Sequence, residues 1–387
     1  MSADPLFDQL SATTLAEMTR DAVQDNFFVD GAWQRLMNHY SSNDPFTGGL
    51  FMQEPFIYDR VNGGASIPGG ERTVVQKQII GALSFMPREG TWDIPINEWQ
   101  TEVINTGPAA AVSLYDAQME VAVSSASMDY NIDFYVHGQP ASSTVLQNRS
   151  IFINGADEAL SNGVDPGYLG NVYTNYGGQV RNGVVGSTLN SGVTWAGDQA
   201  GNPGQTNFGT ICEAYLNCVQ PPDTCLSNKA GFGQLWKRSQ PQQQFVEQGN
   251  SIRSDNDARI GLTGFKVLEM YIHVDKLAPS TKFGSLLPSG LSQTTSMVLS
   301  AFTTPSTVSS ASNYPAATSC KPGEPFFLLR LQDWKMRPAA SPRYRHYFCP
   351  PIPSPTNPDL KVMFYQNALN CYTPSPRDNW QIVGMGQ

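Results

Sequence analysis

One apolar stripe constrains this chain more than any other feature. Val112, Tyr115, Met119, Ala122, Val123, Ala126 and Tyr130 fall at i, i+3, i+7, i+10, i+11, i+14 and i+18, the spacing that places side chains on one helical face. Asn105-Thr106 offers a cap and Pro108 fits the first turn, so a helix is expected from Asn105 to about Tyr135. About 25 helical residues extend about 37 Å at 1.5 Å each. A helix of that length is a spine around which other elements must be arranged.

Few other stretches could sustain a long helix. The 387 residues include 34 glycines and 28 prolines, and at this size two or three packed lobes are expected. Only 15% of residues are charged, while 40% are hydrophobic and 11% aromatic; an ordinary domain is about 25% charged. A surface this neutral suits a protein covered by copies of itself, because interface centres are depleted of charge and enriched in aromatics and Met. The net charge of −9 argues against phosphate-backbone binding as the main activity. No apolar run opens the chain, where Asp4, Asp8, Glu17, Asp21 and Asp25 recur, so neither a secretory signal nor a membrane span is expected. Cytoplasmic synthesis with reduced thiols follows. The sequon Asn148-Arg149-Ser150 then has no glycosylating compartment and reads as chance.

Along the chain, Leu10–Tyr40 reads as polar helical pieces with sparse anchors such as Phe27, Phe28 and Trp33, an arm that packs on something else. Turn formers crowd from Asp44 to Gly70 around a short apolar run, Phe51–Tyr58. Thr73–Ile96 reads as a long hairpin with a charged tip at Pro87-Arg88-Glu89-Gly90. Such a hairpin is marginal alone and needs a surface to lie on. After the spine, Ile151–Ile153 reads as a short strand, Phe208–Val219 as a helix with Phe208, Ile211, Cys212, Tyr215, Leu216 and Val219 inward, Thr224–Ser227 as a strand, and Gly231–Arg238 as a helix. Gly264–Val274 alternates like one strand, with Leu268, Met270, Ile272 and Val274 opposite Glu269, Tyr271 and His273. Thr294–Thr307 and Phe326–Trp334 read as further strands, and Arg337–Val383 as an extended, proline-punctuated segment.

Chemistry is scarce. No GxSxG, HExxH or Walker pattern occurs. Cys212, Cys218, Cys225, Cys320, Cys349 and Cys371 have neither zinc nor CxxC spacing, and Cys212 and Cys218 read as small core hydrophobes. His39, His137, His273 and His346 are scattered. Asp157-Glu158 and the Asp255/Asp257 pair are given no catalytic role, since neighbouring acids are common in turns and helix starts. Arg337, Arg343, Arg345 and His346, interleaved with Tyr344, Tyr347 and Phe348, form the one notable basic cluster; a subunit contact is favoured over nucleic acid. No catalytic, cofactor or metal residue is assigned, and the chain is not expected to be an enzyme.

Several stretches, in order, resemble one family. They are Gly48-Gly49 followed by Glu54-Pro55-Phe56-Ile57-Tyr58, Ile153-Asn154-Gly155 with Glu158-Ala159-Leu160, Asp223-Thr224-Cys225-Leu226-Ser227-Asn228, and Gly264-Phe265 leading to Asp275 and Pro279. Their order resembles the major capsid proteins of tailed bacteriophages, whose fold is named after phage Hong Kong 97 and is also used by encapsulins. The resemblance implies an α+β fold with an N-terminal arm (1–45), an extended hairpin loop (46–104), a spine helix and peripheral domain (105–205), an axial α/β domain (206–335) and a C-terminal segment (336–387) that returns to the sheets. It also implies self-assembly into hexamers and pentamers of a virion shell made in the host cytoplasm. Partners would be other copies of the chain, with scaffolding, portal and decoration proteins, and DNA would be enclosed without specific binding. Arg88 and Glu89 would touch a neighbour from the hairpin tip. Lys77 is a conceivable cross-linking residue that nothing singles out. A tail or receptor-binding protein and an encapsulin shell stand as the alternatives; the absence of fibre-like repeats counts against the first.

Overall fold

The structure, a computed structural model, describes residues 45–59, 78–97, 114–136, 154–163, 168, 173–181, 189–195, 204–205, 208–239, 264–278, 302–303, 319–320, 324–341, 347–353 and 360–386. Strands β1 (Met52–Ile57), β2 (Ile80–Phe85) and β3 (Arg88–Asn97) precede the 23-residue helix α1 (Leu114–Val136). The one-turn helix α2 (Ala156–Ala159) and strand β4 (Gly192–Trp195) lead to α3 (Phe208–Asn217), β5 (Thr224–Ser227) and α4 (Lys229–Ser239). There follow β6 (Gly264–Val267), β7 (Met270–Val274), β8 (Glu324–Leu329), β9 (Lys335–Pro338), β10 (Leu360–Tyr372) and β11 (Trp380–Gly386).

Two larger sheets organise these elements. In the first, the order is β4-β11-β8-β5-β7-β6, with Gly204–Gln205 also on β11. Its middle strands β5 and β8 are buried at every position, as expected where both faces are covered. Alternation along β8 shows the two layers directly. Phe326 and Leu328 join the core with Ile211, Phe232 and Leu235 of α3 and α4, whereas Phe327 and Leu329 join the core with Phe134 and Tyr135 of α1. The second sheet is built on β10. Its partner β3 runs from Leu360 opposite Asn97 to Leu369 opposite Arg88, and the other edge takes β9, Tyr347–Phe348 and Ile352–Pro353 in succession.

Helix α1 joins the sheets. Trp92 on β3 donates through Nε1 to Asp129 Oδ2 at 2.8 Å and sets its ring edge-on to Tyr130 at 5.6 Å. At the helix end Tyr135 donates to Asp275 Oδ2 at 2.9 Å, Tyr168 donates to the Tyr135 carbonyl, and Phe134 meets Trp334 edge-on at 5.3 Å. Both Tyr135 and Asp275 are fully buried, so the joint excludes water.

Four expectations are corrected. The hairpin is not Thr73–Ile96: β2 pairs with β1, from Met52 opposite Phe85 to Ile57 opposite Ile80, while β3 joins β10. Met86-Pro87 is thus a transfer between sheets, because Pro87 has no amide to continue a ladder, and Arg88 and Glu89 lie within β3 rather than at a tip. Gly264–Val274 is two strands paired antiparallel from Val267 opposite Met270, reversed at Leu268, whose φ is 56°; Leu268 is consequently exposed. The strand expected through Trp334 stops at Leu329, and Leu331–Asp333 forms a 3-10 turn. Val123 on α1 and Leu216 and Val219 at the end of α3 face outward. Within the extended end, β10 and β11 are strands of the two sheets. Of Thr294–Thr307, the described residues contain only Phe302–Thr303, paired with Ser319–Cys320. The arm 1–45 apart from Pro45, the cap Asn105-Thr106, strand Ile151–Ile153, Lys77, His39, His137, Asp255, Asp257, Arg343, Tyr344, Arg345 and His346 lie outside the described residues.

Candidate functional site

The root of the β1/β2 hairpin is held by side chains of β9 and β10. Burial along β1 alternates from Met52 to Ile57, which turns Glu54 inward with Met52 and Phe56. Glu54 is 8% exposed. It receives Lys335 Nζ at 2.7 Å, Arg337 Nη1 at 3.3 Å and the Tyr372 hydroxyl at 2.8 Å, so β9 and β10 grip the first leg. Burial pushes the Tyr372 hydroxyl above its usual range, keeping it a donor to this carboxylate. The same ring stacks on Phe85 of the second leg, centroids 4.1 Å apart and planes at 15°. Tyr176 meets Phe85 edge-on at 5.4 Å, and Ser84 N donates to Gly177 O at 2.8 Å. Where the hairpin leaves for β3, Asn370 Nδ2 donates to Met86 O at 2.7 Å. Tyr372 therefore touches both legs.

Beyond this root the hairpin turns apolar groups to solvent. Ile57 is 65% exposed and Ile80 54%, with Tyr58, Leu50 and Phe51 exposed nearby in sequence. Pro55, Phe56, Ile57 and Ile80 line one wall of a groove of about 510 Å³, closed on the other side by Pro374, Ser375 and Arg377. A second exposed apolar group lies on the first sheet's lobe: Leu216 at 74%, with Val219, Leu268 and Tyr271 also exposed and Lys266 Nζ 5.3 Å from the Tyr271 ring centre. Exposed large apolar side chains close together on a surface mark places that another molecule covers.

The other candidates have structural roles. Arg337 of the basic cluster is committed to Glu54, and Phe348 packs on Tyr365 at 4.9 Å. Asp157 accepts from the Tyr173 hydroxyl at 2.6 Å and Glu158 from Asn154 Nδ2 at 2.6 Å, tying α2 into place. His273 is half-buried on β7, and burial lowers its pKa. Cys218, Cys225 and Cys371 are buried free thiols; burial pushes Cys218 up to about 12, which leaves little thiolate for reaction. Cys212 is half-buried and packs against the core that holds Ile211 and Phe232. No group of three or more His, Cys, Asp or Glu residues that could hold a metal occurs among the described residues, and no described helix is long and apolar enough to cross a membrane. Sequence reading missed Glu54, Lys335 and Tyr372 as a unit. The available signal was an acid at the inward parity of an apolar strand.

No family model matches the chain, and no curated protein matches it in sequence. Solved structures do match. The capsid asymmetric unit of cyanophage A-1(L) is similar with a TM-score of 0.62 at 13% identity, covering 95% of this chain and 96% of that one. The capsid of a native GTA particle is similar with a TM-score of 0.54 at 8% identity, covering 95% of both chains. The fold is the α+β Hong Kong 97-type capsid fold.

Proposed function

We propose that this chain is a major capsid protein of a tailed bacteriophage, which assembles into an icosahedral head around double-stranded DNA. The observation carrying the proposal is the fold likeness over 95% of the chain. Exposed apolar side chains on the hairpin and on the seven-stranded lobe add the means of association. In this reading residues 1–45 are the arm, 46–104 the extended loop with β1 and β2 as its hairpin, 105–205 the spine and peripheral domain, 206–335 the axial domain and 336–387 the returning segment. Copies would form hexamers and pentamers, joined by scaffolding, portal and decoration proteins, and the chain would be made in the host cytoplasm and do no catalysis. Its net charge of −9 suits a container that encloses DNA without gripping it by counterion release.

Negative-stain microscopy with light scattering on the purified chain tests the proposal. Closed shells, or rings of five or six, are expected. A stable monomer or trimer at every salt and protein concentration, and after co-expression with the neighbouring genes, would overturn it.

A further inference from the structure

Four Asn-Gly dipeptides occur in the sequence, at Asn62, Asn154, Asn162 and Asn182. Asn-Gly is the pair most prone to cyclise, because no side chain shields the following amide and glycine gives the backbone freedom to bring it round. At Asn154 the fold requires both members of this labile pair. A Cβ on Gly155 would lie 2.2 Å from the Phe134 carbonyl oxygen, so only glycine fits under the end of α1. Asn154 in turn makes a reciprocal pair with Asn370. Its backbone N–H donates to Asn370 Oδ1 at 3.0 Å, and its Oδ1 accepts from Asn370 Nδ2 at 2.9 Å. Its own Nδ2 donates to Glu158 Oε2 at 2.6 Å. Every polar atom of the side chain is engaged.

We infer that Asn154–Gly155 is a latent deamidation site, held unreactive by Asn370 and Glu158 and exposed to reaction only when this junction opens. In the reaction the Gly155 backbone nitrogen attacks Asn154 Cγ. The new C–N bond forms, the bond from Cγ to Nδ2 breaks, and the amine leaves as ammonia with the proton from the Gly155 amide. Water then opens the succinimide to aspartate or isoaspartate. The hydrogen bonds oppose the first step by fixing Cγ away from rotation onto the Gly155 nitrogen. The product would place a carboxylate oxygen where Asn154 Nδ2 now donates to Glu158 Oε2, so two acceptors would face and repel each other there. Because Asn370 also holds Met86 O, damage here would loosen the hairpin exit as well. This inference does not depend on the capsid reading.

Peptide mapping by mass spectrometry tests it on the full chain, aged under warm, mildly alkaline conditions both native and in urea. Native Asn154 is expected to deamidate at least about tenfold more slowly than in urea, since the reaction waits on local opening. In Asn370→Ala, checked for folding by its melting curve, the native rate at Asn154 is expected to rise about tenfold with the loss of two hydrogen bonds. Asn162, buried on the far side of α2 and followed by Gly163 at φ +83°, should keep its rate. Equal rates in native and urea samples overturn the inference, as does an Asn370→Ala chain in which Asn154 is unchanged or rises together with Asn162. Should Asn370→Ala not fold, Glu158→Ala removes the acceptor of Asn154 Nδ2 at a half-buried position. A selective rise at Asn154 is again expected, and no rise overturns the inference.

Discussion

Glu54 combines one carboxylate with three donors from two other strands, and truncation should separate their effects. Glu54→Gln is expected to lower stability by about 1–3 kcal/mol, the range for charged hydrogen bonds. Tyr372→Phe should cost only about 1 kcal/mol, because it keeps the Phe85 stack and loses a single hydroxyl contact; urea unfolding monitored by fluorescence measures both. His273 gives a pH dependence of definite sign. Burial lowers its folded pKa below 6.5, so its contribution to stability is complete above that pH and is lost as the pH falls from there through the folded value. His273→Gln should therefore show a shallower fall in melting temperature between neutral and mildly acidic pH than the parent chain. Among the described cysteines, half-buried Cys212 and Cys349 should be alkylated in the native chain well before buried Cys218, Cys225 and Cys371, as a timed mass-spectrometric labelling would show. Residue types alone pointed to none of the root contacts. Lys335 lies 281 positions from Glu54, and no local pattern encodes such a pairing.

Elements follow a different logic, in which close approach matters as much as periodicity. Gly192 on β4 lies against the Trp380 indole, where an added Cβ would fall 1.9 Å from ring atoms. Gly192→Ala should accordingly cost about 3 kcal/mol by displacing β4 or the ring, read as a lowered urea midpoint. The spine was legible because burial on one side imposes a 3.6-residue period. It failed at Val123, outside the face occupied by Ala122, Ala126 and Tyr130. Hairpin partners were not legible: β2 and β3 both alternate, and only the fold decides that one joins β1 and the other β10. Strand β10 shows no clean apolar alternation in sequence because its buried positions include Asn367 and Asn370. Polar residues at such positions look solvent-facing in sequence; here Asn370 is paid for by its bonds to Met86 and Asn154.

For the whole molecule, the expectation is that folding and association can be uncoupled. The double change Ile57→Ser and Ile80→Ser removes two apolar groups that are more than half exposed. It should leave the melting temperature of the subunit nearly unchanged while weakening assembly, measured by light scattering against the parent chain at equal concentration. An unaltered assembly threshold would place the hairpin outside the contacts. Topology adds a constraint in time. Strand β10 is the centre of one sheet and β11 lies between β4 and β8 in the other, yet both follow residue 359 in sequence. A ribosome making this chain must therefore have passed residue 359 before either sheet can close, and such distant pairings form late. Nascent chains crowded on one messenger would hold unfinished lobes until then, which separates synthesis from any contact that needs a completed surface.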